Sequence, residues 1–89
     1  MDVREVIREF IIENFLMGDD GSSLRDDDSF LETRVIDSTG VLELVQFLEE
    51  RFGISIPDEE ILPENLDSVE RIDRYLRIKL EGQRAAGGM

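Results

Sequence analysis

The sequence predicts an all-α protein, a four-helix bundle of three main helices and one short helix, with a long loop between the first two. Three observations carry this. Apolar residues recur at helical spacing in three separate stretches, 2–17, 38–51 and 67–80. Strand signals are few, and the one alternating run, Ile54-Ser55-Ile56, stops at Pro57 before it is long enough to pair. At 89 residues, with 40% apolar and 36% charged residues, the chain has material for one modest core under a highly charged surface.

The first helix is expected from Asp2 to about Met17. Val3, Val6, Ile7, Phe10 and Ile11 fall on one face, with Arg4, Arg8, Glu5, Glu9 and Glu13 off it. Gly18 suits a left-handed terminator. The stretch GDDGSSLRDDDSFLETRVID follows as a long loop, with Leu24, Phe30, Leu31 and Val35 as its anchors to the core. Its aspartates do not make an EF-hand: counted from Asp26, the sixth residue is Leu31 instead of glycine and the twelfth is Asp37 instead of glutamate. No metal site is expected there.

The second helix is expected from about Ser38 to Arg51. Val41, Leu44, Val45, Leu48 and Phe52 share its inner face, Glu43, Gln46 and Glu50 lie opposite, and Leu42 and Phe47 stand at the boundary. Gly53 ends it. Ile54 and Ile56 are two apolar pegs on an extended connector, and a short helical turn near Pro63 turns Ile61, Leu62 and Leu66 inward. Asp67 with Glu70 three residues later reads as a capping box for the last helix. Val69, Ile72, Leu76 and Leu80 form its stripe with Tyr75 beside it, and Arg71, Arg74, Arg77 and Lys79 favour its later turns, where cations oppose the dipole. One domain over 1–81 and a flexible tail over 82–89 complete the expectation.

Composition removes several functions. Without cysteine there is no disulfide, thiolate metal site or cysteine nucleophile, and without histidine there is no serine–histidine pair. An enzyme is not expected. The formal charge of −12 is concentrated in residues 19–67, which hold fifteen acids and three bases, whereas residues 68–89 hold three acids and five bases. Such a surface repels nucleic acid and anionic lipid and attracts basic partners. The N-terminal residues lack a hydrophobic run long enough for a signal peptide or a membrane span, so a soluble, cytoplasmic monomer is expected.

Ser38 opens the second helix. Alone, an Asp-Ser pair before a helix is an ordinary N-cap. In context it is more, because DSTGVLELVQFLEERFGISIPDEE resembles the acyl carrier protein family, which includes the thiolation domains of peptide and polyketide assembly lines. Asp-Ser, Leu42–Leu44, Leu48–Glu49 and Phe52–Glu59 come in the family's order, and NLDSVERIDRYL resembles the start of its last helix. The likeness covers roughly Phe30 to Ile78.

The resemblance implies that a phosphopantetheinyl transferase, using coenzyme A and magnesium, attaches 4′-phosphopantetheine to Ser38 through a phosphodiester. The arm's thiol then carries an acyl or aminoacyl group as a thioester to partner enzymes of fatty-acid, polyketide or peptide-type biosynthesis. Length and Met1 suggest a freestanding carrier. Partners with basic surfaces, namely the transferase, a loading ligase or transferase and downstream synthases, are expected to read Asp37, Thr39, Leu42, Glu43, Gln46, Glu49 and Glu50 around the attachment point. Thr39 stands where the family commonly has leucine, which leaves the choice of partner open. Leu44, Phe47, Leu48, Ile61, Leu66 and Ile72 are candidate linings of an acyl-holding cleft, and simple core residues on the blander reading. The rival function is a small acidic helical adaptor with no prosthetic group.

Overall fold

A computed structural model of the chain describes residues 2–16 and 24–87, the last five by backbone alone. The order of elements is α1 (Val3–Phe15), α2 (Ser38–Phe52), a 3-10 turn (Asp58–Glu60), α3 (Pro63–Leu66) and α4 (Val69–Gly87), and no strand occurs among the described residues. The protein is all-helical, as its apolar periodicity predicts.

The Asp2 carboxylate starts α1 by accepting the Arg4 N–H at 3.0 Å, satisfying one of the donors that a helix start leaves unpaired. Ile7 and Ile11 of its apolar stripe are fully buried. Phe10, half-buried, stacks on Phe47 of α2 with ring centroids 4.0 Å apart. Each fully buried aliphatic side chain contributes about 1.5–3 kcal/mol. Gly18, the expected terminator, lies outside the described residues.

The loop before α2 is anchored by Leu24, Phe30 and Ile36, all buried, with Val35 packed beside them. Leu31 is a correction: it is 45% exposed, because Phe30 takes the inward direction and the Leu31 N–H turns to the Asp67 carboxylate. Two of the loop's acids, Asp26 and Asp28, are engaged by the protein itself. Asp26 receives Arg4 and Arg8, each at 3.1 Å, and its carbonyl accepts the Glu70 N–H at 2.8 Å. Arg8 also donates to the Leu24 carbonyl, and Asp28 accepts the Arg25 N–H. Among the described residues no three carboxylates gather as a metal site.

Gly53 ends α2 in the left-handed conformation, φ 64°, and its N–H returns to the Glu49 carbonyl. Ile54 and Ile56 are buried pegs, as their pattern predicts, and the Glu49 carboxylate fixes the connector by accepting the Ile56 N–H at 2.8 Å. Pro63 occupies the first turn of α3, where a missing N–H costs nothing. Leu66 is buried and Ile61 packs on the core, but Leu62, expected inward, is 39% exposed. Its backbone is extended ahead of α3, and in extended chain neighbouring side chains face opposite ways.

The start of α4 is a further correction. Ser68, not Asp67, caps it, its hydroxyl accepting the Arg71 N–H at 3.1 Å. Val69, Ile72 and Leu76 are fully buried and Leu80 half-buried. The helix runs on through Gly87, into the segment expected as a loose tail. Asp73, unremarked in the sequence, is buried between Arg4 and Arg77 at 3.0 and 2.9 Å. Burial raises its pKa, but those two hydrogen-bonded cations outweigh burial and hold it below the usual carboxylate range. Lys79 and Tyr75 of α4 clamp Glu60 at 2.8 and 2.5 Å. The Lys79 and Tyr75 hydrogen bonds lower the Glu60 pKa, while burial and the Glu60 hydrogen bond raise that of Tyr75.

Candidate functional site

The start of α2 is built from Ile36, Asp37, Ser38 and Gly40. Ile36 is buried and pins the chain; Asp37, extended, then caps the helix, its Oδ1 accepting the Gly40 N–H at 2.7 Å. Ser38 is therefore the first helical residue and not the cap. It is exposed, and among the described residues its hydroxyl takes part in no hydrogen bond.

Gly40 has a reason that its sequence context does not disclose. A Cβ there would lie 2.8 Å from the Phe15 ring and 2.9 Å from an Ile36 methyl. The absent side chain lets α2 begin close against the end of α1 and seats Ser38 at a fixed place on the surface.

Ser38 also lines an apolar groove of about 260 Å³. Phe30 and Leu31 form one wall, Val41 and Leu42 of α2 another, and Ile61, Leu62, Pro63 and Leu66 the third, with Asp67 at its end. Leu31, Leu42 and Leu62, the large apolar side chains left most open nearby, all belong to it. Of the candidate cleft residues, only Ile61 and Leu66 are on the groove. Leu44, Leu48 and Ile72 are sealed in the core, and Phe47 is spent on Phe10.

Around Ser38, the side chains of Asp37, Thr39, Leu42, Glu43, Gln46 and Glu50 are exposed, and Gln46 reaches Glu50 at 3.4 Å. Glu49 is not equivalent to them: it is half-buried and engaged with the Ile56 amide. The groups whose protonation the fold shifts, Arg4, Glu60, Asp73 and Tyr75, belong to the ties between α1, the 3-10 turn and α4, not to Ser38.

These residues fit a phosphodiester-linked group. An exposed hydroxyl stands at a helix N-terminus, where unpaired N–H groups and the dipole favour an added negative charge, and among the described residues no bond must break to release it. Among the described residues no three His, Cys, Asp or Glu side chains gather as a metal site, and the carboxylates nearest Ser38 are those of Asp37, which caps α2, and of Asp67, at the end of the groove.

Comparison with known proteins agrees. The profile of the family described as "Phosphopantetheine attachment site" matches residues 5–76. An acyl carrier protein of Campylobacter hominis is 37% identical over 76 residues, covering 85% of this chain and 91% of the relative. A D-alanyl carrier protein of Streptococcus suis is 39% identical over 72 residues, covering 81% and 87%. An acyl carrier protein of Bdellovibrio bacteriovorus is 32% identical over 79 residues, covering 89% and 96%. The chain belongs to the phosphopantetheine-attachment family of carrier proteins, whose prosthetic group is 4′-phosphopantetheine.

Proposed function

We propose that the protein is a freestanding, non-catalytic carrier that bears 4′-phosphopantetheine on Ser38 and presents a thioester-bound acyl or aminoacyl group to partner enzymes. The observation that carries this is the division of labour between neighbours: Asp37 caps α2, which leaves the Ser38 hydroxyl exposed and, among the described residues, without a hydrogen-bond partner. The chain contains no cysteine, so the arm supplies the thiol on which the cargo rides. Ser38 is an attachment point, and the residues around it hold it, face it to solvent and flank it with acids.

The groove supports an acyl cargo over a D-alanyl one. Its walls are aliphatic and aromatic, and a free ammonium group gains nothing from leaving water for such a surface. The exposed acids of α2 support recognition by partners with basic surfaces, among them the transferase that installs the arm. No helix among the described residues is long and apolar enough to cross a membrane.

The test is intact mass after incubation with coenzyme A, magnesium and a promiscuous phosphopantetheinyl transferase. One arm's mass should be gained, and Ser38→Ala should abolish the gain while leaving the helical signal in place. A gain that persists in Ser38→Ala would move the site elsewhere. No gain in the wild type would favour the adaptor reading.

A further inference from the structure

We propose that Asp67 is a positioning residue, a latch that holds the Phe30–Leu31 wall of the groove in place beside Ser38. It thereby governs how an apolar group carried on Ser38 is accommodated. The groove's use rests on Ser38 being the attachment point; the latch itself does not.

The wall residues Phe30 and Leu31, and Ser29 just before them, all hang on Asp67. Its Oδ1 accepts the Leu31 N–H at 3.0 Å, its Oδ2 accepts the Ser29 hydroxyl, and its backbone carbonyl accepts the Phe30 N–H at 2.8 Å. Ser29 Oγ in turn accepts the Glu32 N–H at 3.1 Å, so the contact sets the turn as well as its ends. Asp67 is free to do this because its neighbour Ser68 caps α4. Two good capping residues stand side by side; the helix uses one and the loop takes the other.

The other two walls are held differently. Val41 and Leu42 are fixed by the hydrogen bonds of α2, Pro63 and Leu66 by those of α3, and the Ile61 and Leu62 N–H groups by the backbone carbonyls of Asp58 and Glu60. Leu31 has neither a helix nor deep burial to keep it: it is 45% exposed, and among the described residues its N–H bonds only to Asp67. A few residues on, Arg34 closes the turn at φ 60°, a conformation unfavourable for an L-residue bearing a side chain. The Val35 and Ile36 N–H groups there both point to the Phe30 carbonyl. A turn that carries such a residue gains by relaxing once released. Phe30 is kept by burial and by a backbone bond, so the part of the wall that depends on the Asp67 carboxylate is Leu31 and the turn after it, and that carboxylate lines the groove.

Asp67→Leu removes the latch, whereas Asp67→Asn keeps it: the carboxamide oxygen accepts from Leu31 and its NH₂ donates to Ser29 Oγ. In the unmodified chain, Asp67→Leu should speed amide hydrogen exchange at Leu31 and Glu32 by roughly ten-fold, the factor set by one net hydrogen bond, while amides of Ile72 and Leu76 stay protected. Asp67→Asn should restore the wild-type pattern. Unchanged exchange at Leu31 in Asp67→Leu, or a rise shared equally by Ile72 and Leu76, overturns the latch. The second arm loads Ser38 from octanoyl- or acetyl-coenzyme A with the transferase and follows thioester cleavage by hydroxylamine. Octanoyl release should be several-fold faster in Asp67→Leu than in wild type or Asp67→Asn, and acetyl release equal in all three. Equal octanoyl release overturns the groove's dependence on Asp67. A wild type that accepts no group at Ser38 overturns the carrier reading, and the exchange rates still decide the latch.

Discussion

The edge of the Phe15 ring occupies the space in which Gly40 would carry a side chain, 2.8 Å from the position of its missing Cβ. The end of α1 is thus set against the first turn of α2, one residue beyond Thr39 and two beyond Ser38. Gly40→Ala should destabilise the protein even though alanine is the better helix former by about 1 kcal/mol. Ile36 is buried and Phe15 packs on the core, so neither yields freely, and overpacking of this kind costs about 1–3 kcal/mol. Denaturant midpoints decide it: a Gly40→Ala chain as stable as wild type or more so would show that the contact relaxes at no cost.

Asp37 and Ser38 should separate cleanly in stability. Asp37→Ala removes the acceptor of the Gly40 N–H and should cost about 0.5–2 kcal/mol, whereas Ser38→Ala removes no hydrogen bond among the described residues and should change little. Loss of phosphopantetheinylation should follow the opposite order, complete in Ser38→Ala and partial in Asp37→Ala. If Ser38→Ala proved the more destabilising, the serine would be the working cap.

Asp73 ties α4 to α1 through Arg4 and steadies its own helix through Arg77. Its folded pKa is lowered, so the unfolded chain takes up the proton more readily than the folded one. Its stabilisation is therefore complete above the ordinary carboxylate pKa and is lost as pH falls through and below about 4. Asp73→Asn should cost about 1–3 kcal/mol at pH 7. The gap between variant and wild type should narrow on acidification. General relief of the negative charge is common to both chains and cancels in the comparison. A gap that stays constant from pH 7 to pH 3 would rule out the ionised pair as its source.

Where the backbone is regular, the sequence was a good guide. The stripes of α1, α2 and α4 are legible because burial repeats with the helical period, and Gly53 because a left-handed C-terminus selects glycine. Ile36, Leu31 and Leu62 were not, since irregular backbone has no period to mark which side chain turns inward. Asp67 and Ser68 are both competent caps, and the choice between them is made by Ser29 and Leu31, far away in the chain. The reason for Gly40 likewise lies in Phe15. The motif singles out Ser38 as the proposed attachment point, but it says nothing of the groove beside it, because the groove's walls come from three segments that meet only on folding. Glu49 looks like one more surface acid until the Ile56 amide is found on it.

That distinction between Glu49 and its neighbours shapes the last prediction. Glu43 and Glu50 are exposed on the face of α2 that begins at Ser38, with Leu42, 61% exposed, at its edge. Any enzyme acting on Ser38 must approach this face. Charge there should act mainly on encounter, raising the association rate of a basic partner more than the stability of the docked pair. Glu43→Lys with Glu50→Lys should therefore slow arm attachment several-fold under conditions limited by encounter, with little change in unfolding midpoint. The wild-type rate should fall as salt is raised, because the Debye length shrinks from about 30 Å at 0.01 M to about 10 Å at 0.1 M. The reversed chain should lose most of that dependence. Glu49→Lys is a control of a different kind: it should lower stability, because it removes the acceptor of the Ile56 N–H. Equal attachment rates and equal salt slopes for wild type and the double variant would place recognition on another surface, and the Leu31 side of the groove would be the next to test.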